Sequence, residues 1–180
     1  MVPDMPIETG THKIGPSNGS LKVKTGREGA AAKMGHDLTI GLSSWEATVE
    51  GGDSPSIQLT ADPGSAEVLE GSGGAKPLSD KDKADIKKSM DGKVLGGSQI
   101  TFQSSSVEDN GGQLLAKGDV SIAGKSSSVS VPLSVGDGKV SGSITLSQKD
   151  FAIKQYSAMM GALKVKDQVE VVFEGQVPTA

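Results

Sequence analysis

Apolar residues in this chain mostly recur at every second position. In residues 129–135, for example, valine and leucine alternate with serine and proline. Successive side chains of a strand point to opposite faces, so this period predicts strands with one buried face and one solvated face. The same alternation marks residues 21–23, 38–42, 45–49, 57–61, 100–102, 114–122, 140–146 and 169–173. The pattern therefore predicts eight to ten short strands.

The connections between these segments are short and contain turn residues. Asn110-Gly111-Gly112 and Gly136-Asp137-Gly138 are two examples, and such sequences are typical of antiparallel hairpins. Strands with one apolar face must cover that face, so we expect the sheet either to close into a barrel or to pair as a sandwich. Pro132 lacks the N–H that a ladder needs, which predicts that its strand is an edge at that point or carries a bulge.

One segment breaks the alternation and predicts an amphipathic helix at about 79–95. Ser79 is placed as its N-cap, and two aspartates follow in the first turn, where the helix dipole favours acidic groups. The spacing of Ile86, Met90 and Val94 puts these three apolar side chains on one inward face. The chain is thus predicted to contain one helix among its strands.

The length of 180 residues fits a single domain of ordinary size. The 25 glycines and the many serines would suit a low-complexity chain, but the regular alternation favours a folded one. We expect an N-terminal tail at 1–10 and one domain over 11–178. The glycine-rich stretch 71–74 is expected to be a loose linker inside that domain.

Charge and targeting signals weigh against several classes of protein. The net charge is −4 and Arg27 is the single arginine, whereas a nucleic-acid surface needs a basic stripe. No apolar run approaches the roughly 20 residues of a transmembrane helix. The first residues lack the basic and apolar regions of an export signal, so the expected location is the cytoplasm. With no cysteine and two histidines, we expect no disulfide, metal or cofactor.

The side chains on the predicted buried faces are small. Most are valine, leucine, alanine or glycine, and the chain has only one Trp, one Tyr and three Phe. An eight-stranded barrel is just wide enough to be filled by side chains or to hold one small ligand. Small inward residues suit an apolar cavity, and they equally suit sheets that pack closer together without one.

Several motifs follow one another in a specific order. They are Lys33-Met-Gly-His-Asp37, Trp45-Glu-Ala-Thr-Val49, the helix, Ser98-Gln-Ile-Thr-Phe-Gln-Ser104, Gly118-Asp-Val-Ser-Ile-Ala-Gly124, Lys149-Asp-Phe-Ala-Ile153 and Val165-Lys-Asp-Gln-Val-Glu-Val171. In this order, over roughly residues 11–175, the chain resembles the YceI-like family of polyisoprenoid-binding proteins. The resemblance implies an all-β, antiparallel, lipocalin-like barrel of about eight strands with one helix. It also implies an interior that takes the apolar tail of an isoprenoid lipid.

The leading hypothesis is therefore a non-catalytic module that sequesters or carries a long isoprenoid lipid, a quinone or a polyprenyl phosphate. The cavity wall is predicted to contain the larger apolar residues Trp45, Phe102, Phe151, Tyr156, Met159, Met160, Leu163 and Phe173. The two adjacent methionines would adapt to a flexible lipid tail because their side chains repack easily. Alternatively, this segment closes one end of the barrel by ordinary packing.

Three polar residues are candidates for the ligand head group. Arg27 and Lys33 bracket a Gly-Ala-rich stretch and, with His36, would hold a phosphate. His36 beside Asp37 also suits an acid/base pair, which leaves an isomerase or cyclase as an alternative. A histidine satisfied by the backbone is the simpler interpretation.

A further alternative is a ligand-free, stress-associated structural barrel that acts through its outer face. The expected partners are an isoprenoid lipid, a membrane surface contacted peripherally and a second copy of the chain. Pairing with a second copy would use an edge strand such as the Pro132 segment. Nucleic acid is not an expected partner, given the charge.

Overall fold

The structure, a computed structural model, describes residues 7–74, 77–89, 99–109 and 113–177. Within these ranges the chain forms β-strands, a single α-helix, α1 (Asp80–Ser89), and short 3-10 turns. The strands are β1 (Gly10–Ile14), β2 (Gly19–Lys24), β3 (Arg27–Glu28), β4 (Asp37–Leu42), β5 (Trp45–Gly51), β6 (Ser56–Ala61), β7 (Ala66–Ser72), β8 (Ile100–Asp109), β9 (Gln113–Ile122), β10 (Lys125–Gly136), β11 (Lys139–Ser147), β12 (Ser157–Ala158), β13 (Leu163–Val165) and β14 (Gln168–Gln176).

Eleven of these strands form one antiparallel sheet in the order β1-β5-β6-β8-β9-β10-β11-β14-β2-β4-β7. The sheet curls into a half-barrel, and a small second sheet has the order β12-β13-β3. This confirms the predicted all-β, antiparallel, lipocalin-like fold with one helix. The main sheet has eleven strands, more than the eight to ten predicted from the alternation. Its two end strands, β1 and β7, are the ones that the alternation did not mark.

The alternating pattern predicted the buried face of the sheet correctly. In β5, Trp45, Ala47 and Val49 are 6%, 0% and 2% exposed, while Glu46 between them faces solvent.

The turn between β10 and β11 is also as expected. Asp137 and Gly138 adopt φ angles of 53° and 76°, the left-handed values that a type I′ hairpin turn requires at both central residues.

Pro132 lies where the ladder between β10 and β11 ends. That ladder runs from Gly136 back to Leu133, which pairs with Gly142, whereas β10 pairs with β9 from Ser134 back to Lys125. The part of β10 before Leu133 is thus an edge on the side of β11. The predicted edge at Pro132 is confirmed, because a residue without an N–H is tolerated where no partner strand needs one.

Helix α1 begins at the predicted cap. The amide N of Asp82 donates to Ser79 Oγ at 3.1 Å, and the amide N of Ser79 donates to Asp82 Oδ2 at 3.0 Å. The hydrogen bond from the Ser79 amide, and after it one from the Ser79 side chain, lowers the pKa of the Asp82 carboxyl. Ile86 faces the interior as predicted, and Lys87 Nζ donates to the carbonyl oxygens of Gly64 and Ala66, each at 2.8 Å. Residues 90–95 of the predicted helix, with Met90 and Val94, lie outside the described residues.

The packed core begins before the predicted domain boundary at residue 11. Ile7 is only 1% exposed and belongs to the same apolar cluster as Ile14 and Trp45. Part of the predicted tail therefore contributes to the core. In the ranges that the structure describes, no helix has the length and apolar character needed to cross a bilayer.

Candidate ligand-binding cavity

The inner face of the curled sheet surrounds a cavity of about 460 Å³. Its wall is made mainly of aliphatic and aromatic side chains that alternate along the strands, such as Leu21 and Val23 of β2, Leu38 and Ile40 of β4, and Val169 and Val171 of β14. The volume falls within the roughly 300–1,000 Å³ that is usual for small-molecule pockets. The position of the cavity thus follows from the one-sided pattern of the strands.

Small residues keep space open on the inner face. Ala47, Ala61, Ala66 and Ala116 are each at most 2% exposed, and all four line the cavity. A buried alanine leaves unfilled the volume that a leucine or phenylalanine would occupy at the same position. The cavity therefore lies where four strands each place an alanine on the apolar face.

Three predicted aromatic residues, Phe102, Phe151 and Phe173, line this cavity. Phe151 is 2% exposed and comes from the 3-10 turn Gln148–Phe151 rather than from a strand. It packs with Ile153 against side chains of β9, β10 and β11, near the place where β10 separates from β11. The turn thus covers the gap that the end of the β10–β11 ladder leaves in the wall.

Trp45 does not line the cavity, contrary to the prediction. It lies behind the wall, with its ring edge-on to Phe173 at a centroid distance of 5.8 Å and an interplanar angle of 75°. Within the described residues, its indole N–H has no hydrogen-bond partner. A large apolar residue on the inner face was expected to reach the ligand space, but packing against Phe173 holds the indole one layer further out.

The small sheet lies at the mouth of the cavity. Tyr156 and Leu163, both predicted wall residues, line the cavity there, and Tyr156 is 44% exposed. The amide N of Val165 donates to the carbonyl oxygen of Tyr156 at 2.9 Å. A Cβ on Gly35 would approach Leu163 Cδ1 to 2.6 Å, so the segments around Gly35 and Leu163 are in close contact. Together they form the entrance.

Met160 does not belong to the cavity wall, and its prediction as a wall residue is wrong. Its side chain is fully exposed, at 107% relative accessibility. The residue has a φ of 58° inside the 3-10 turn Met159–Gly161, between β12 and β13. In this turn the Met160 side chain points to solvent instead of into the cavity. The side chain of Met159 lies outside the described part of the chain.

Of the three predicted head-group residues, Arg27 and His36 line the cavity at its mouth. Arg27 Nη1 donates to the carbonyl oxygen of Gly35, and Arg27 Nε lies 3.5 Å from Asp37 Oδ1. Lys33, in the 3-10 turn Ala32–Met34, is exposed and does not line the cavity. The predicted trio is thus reduced to a pair.

Gly73 and Gly74 pack against Arg27 and His36. The sequence analysis assigned both glycines to a loose linker. A Cβ on Gly73 would lie 2.2 Å from Arg27 Nη2, and one on Gly74 would lie 2.5 Å from His36 Nε2. Both glycines have positive φ angles, 78° and 74°, which favour glycine. The linker prediction is therefore wrong, because these residues form a close cover over the guanidinium and the imidazole. The two adjacent glycines were the feature of the sequence that could have indicated this close packing.

The chemistry of the site is that of an amphiphile-binding pocket. Its body is apolar, and Arg27 and His36 place hydrogen-bonding groups at one end. Among the described residues, no group of three or more histidine or acidic side chains is arranged to hold a metal ion. Such a site can bury a hydrocarbon tail and orient a polar head.

Comparisons with known proteins agree with this architecture. The sequence profile of the YceI-like domain matches residues 80–177. Burkholderia cenocepacia BcnA has a similar structure, with a TM-score of 0.64 and 18% identity over 89% of this chain and 97% of that protein. A Campylobacter jejuni YCEI protein gives a TM-score of 0.55 and 13% identity over 78% and 84%. No curated protein matches the sequence. At these identities the two structures show a shared fold.

Proposed function

The chain belongs to the YceI-like domain family, and we propose that it binds the tail of a long isoprenoid lipid in its cavity without catalytic turnover. The observation that carries this proposal is the apolar cavity with hydrogen-bonding side chains at its mouth. Isoprenoid quinones and polyprenyl phosphates combine a branched hydrocarbon tail with one polar head, which matches this distribution of side chains.

The tail would occupy the apolar body of the cavity. At about 30 Å³ for each non-hydrogen atom, the share of a water molecule in the liquid, about 460 Å³ holds at least about 15 atoms, or three isoprene units. Each buried methylene contributes about 0.8 kcal/mol, so three units suffice for useful affinity after the entropic costs of binding. We expect the rest of a longer tail to extend through the mouth.

The head group would lie beside Arg27 and His36. The charge of Arg27 is already offset by Asp37 at 3.5 Å, and Arg27 Nη1 already donates to Gly35. A doubly charged phosphate is stabilised best by cations that have no other partner. Lys164, however, also lines the cavity and has no ion pair in the described ranges, so both a quinone and a polyprenyl phosphate fit the side chains at the mouth.

The same ion pair disfavours the alternative of an isomerase or cyclase. In that mechanism Asp37 would act with His36 as an acid/base pair, but its carboxylate is paired with Arg27. The other alternative, a ligand-free structural barrel, makes a different prediction about the purified protein, namely an empty cavity.

Mass spectrometry of co-purified lipid tests the proposal. Protein purified from its own host is denatured and extracted with organic solvent, and we expect isoprenoid lipid in about equimolar amount. Its repeated absence would contradict the proposal and favour the ligand-free barrel. Direct titration with a ubiquinone and with a polyprenyl phosphate of equal tail length then shows which of the two head groups binds more tightly.

A further inference from the structure

The mouth of the cavity is surrounded by exposed apolar side chains. In the described part of the chain, four large apolar residues are clearly exposed, and three of them, Met34, Tyr156 and Met160, lie in the segments that form the mouth. They are 56%, 44% and 107% exposed, and Met34 and Tyr156 also line the cavity. The fourth, Leu69, lies on β7 and packs towards Gly41. Exposed apolar side chains are thus concentrated where a ligand would enter.

The same segments contain exposed lysines. Lys33, Lys154, Lys164 and Lys166 are all exposed, and none of them has an ion pair within the ranges that the structure describes. Residues 26–37 and 154–167 together hold five basic and three acidic side chains, a net charge of +2 in a chain whose net charge is −4. The charge at the mouth is therefore opposite in sign to that of the whole chain.

Each of the three acidic groups of these segments has a partner within the protein. Asp37 pairs with Arg27, and Glu28 Oε1 accepts from Gln155 Nε2 at 2.7 Å. Asp167 accepts from Ser147 Oγ and from the amide N of Lys149, and its pKa is lowered by the bond from Ser147. The lysines are thus left to present positive charge to solvent.

Backbone hydrogen bonds hold the two segments together around the mouth. The amide N of Ala31 donates to the carbonyl oxygen of Ala162 at 2.8 Å, and that of Lys166 donates to Gly26 at 3.0 Å. Strand β13 also pairs with β3. The side chains Lys33, Met34, Lys154, Tyr156, Met160, Lys164 and Lys166 are therefore carried by one joined structure, which we call the mouth rim.

We propose that the mouth rim docks on the surface of an anionic lipid bilayer, so that an isoprenoid tail passes between bilayer and cavity without crossing water. This inference rests on the proposed function for its cargo. The apolar side chains enter the region between head groups and acyl chains, as interfacial anchors do, and the lysines are attracted to the negative surface. A bilayer fits better than an acidic protein, because the exposed apolar tips surround an apolar entrance.

Flotation of the full chain with vesicles tests the docking. We expect binding to vesicles of phosphatidylcholine mixed with phosphatidylglycerol, weaker binding to phosphatidylcholine alone, and a decrease as salt screens the charges. Lys164→Gln should lower the partition coefficient about five-fold, since one lysine near an anionic surface is worth about 1 kcal/mol. Met160→Ser should lower it about ten-fold through the loss of a buried methionine.

Two variants outside the rim control for charge and apolarity; in the described part of the chain Lys139, unlike the rim lysines, has an ion pair, with its Nζ 3.4 Å from Glu174 Oε1. Lys139 lies at the opposite end of β11 from Ser147, which lines the cavity; eight rises of about 3.4 Å separate them by about 27 Å. Lys139→Gln and Leu69→Ser should therefore each change the partition coefficient less than two-fold. Equal losses in rim and control variants would overturn the proposal, as would failure of the unaltered protein to bind the anionic vesicles.

The lipid content of the same preparations separates this inference from the proposed function. Flotation with vesicles that contain no isoprenoid lipid measures docking alone, and solvent extraction of the purified protein measures the bound isoprenoid alone. Co-purified isoprenoid without vesicle binding refutes the docking and leaves the proposed function in place, in which case an acidic protein becomes the partner to consider for the rim. Vesicle binding that depends on the rim, without any isoprenoid, supports the docking and refutes the cargo.

Discussion

Filling the cavity from its wall should make the protein more stable and its ligand bind more weakly. Ala116 is the best position for this change, because it is 0% exposed, lines the cavity and lies in the middle of β9. On the neighbouring strands it pairs with Val107 and Val131. We expect Ala116→Leu to direct three additional carbon atoms into the open volume.

The size of both effects follows from these three carbons. At about 0.8 kcal/mol for each buried methylene they contribute about 2.4 kcal/mol, and loss of leucine rotamer freedom offsets about 0.5–1 kcal/mol. The net gain of about 1.5 kcal/mol corresponds to a rise in Tm of about 3–6 °C for a chain of this size. The same carbons take at least about 90 Å³, at about 30 Å³ each, from a cavity of about 460 Å³. A ligand that loses three methylenes of burial binds about 50-fold more weakly.

Urea unfolding and titration with geranylgeraniol measure the two effects on one preparation. Trp45, the single tryptophan, reports both, since it packs on Phe173 of the cavity wall. Ala84→Leu on the exposed side of α1 is the matched control, with a change in unfolding free energy within about 0.5 kcal/mol. If Ala116→Leu lowered the unfolding free energy by more than about 1 kcal/mol, there would be no open volume beside Ala116. If its affinity for geranylgeraniol were unchanged, the ligand would bind elsewhere.

Two other predictions concern the mouth and the acid stability of the fold. Gly73→Ala should lower the unfolding free energy by more than about 1 kcal/mol, and by more than Gly138→Ala. Both glycines have a positive φ that disfavours alanine. Only at Gly73 does the added Cβ collide with the Arg27 guanidinium, since the atom nearest to a Cβ on Gly138 is 3.8 Å away. Equal losses of unfolding free energy in thermal unfolding would contradict the close packing at Gly73. The hydrogen bond from Ser147 lowers the pKa of Asp167 in the folded state, so its stabilisation is present above the ordinary value of about 3.9 and lost as the pH falls through the lower folded value. Ser147→Ala should flatten this decline in the unfolding free energy, measured by urea titration, below about pH 4. An unchanged slope would show that the bond from Ser147 does not stabilise the folded state.

Most of the sheet was predictable because its inner face is apolar and its outer face is polar. Strands β5, β9 and β10 each carry several alternating pairs, so the period is visible in the sequence. β7 was not predicted because its pairing with β4 skips Leu69 between Thr39 and Ile40, so two apolar residues, the buried Val68 and the exposed Leu69, are adjacent where regular alternation would have one. Strands of two or three residues, such as β3 and β12, are too short to show any period.

The candidate site was less predictable, because size and hydrophobicity indicate burial but not the layer in which a side chain lies. Phe102, Phe151 and Phe173 line the cavity, but Trp45 packs behind it and Met160 points to solvent. The cover formed by Gly73 and Gly74 depends on contacts with Arg27 and His36, which lie nearly forty residues away or more along the chain. Only the folded sheet brings β3, β4 and the end of β7 together.

The cost of the cavity itself argues for an occupant. At about 24 cal/mol for each Å³ of enclosed apolar space, a closed void of about 460 Å³ would cost about 11 kcal/mol relative to a filled interior, and the open mouth makes the cost of this cavity smaller. The entire stability of a typical domain is about 5–15 kcal/mol. The four buried alanines could each be replaced by a larger side chain to recover part of this energy, so the open space is not a requirement of the fold. A ligand that fills the space would recover part of this energy and would raise Tm with its concentration.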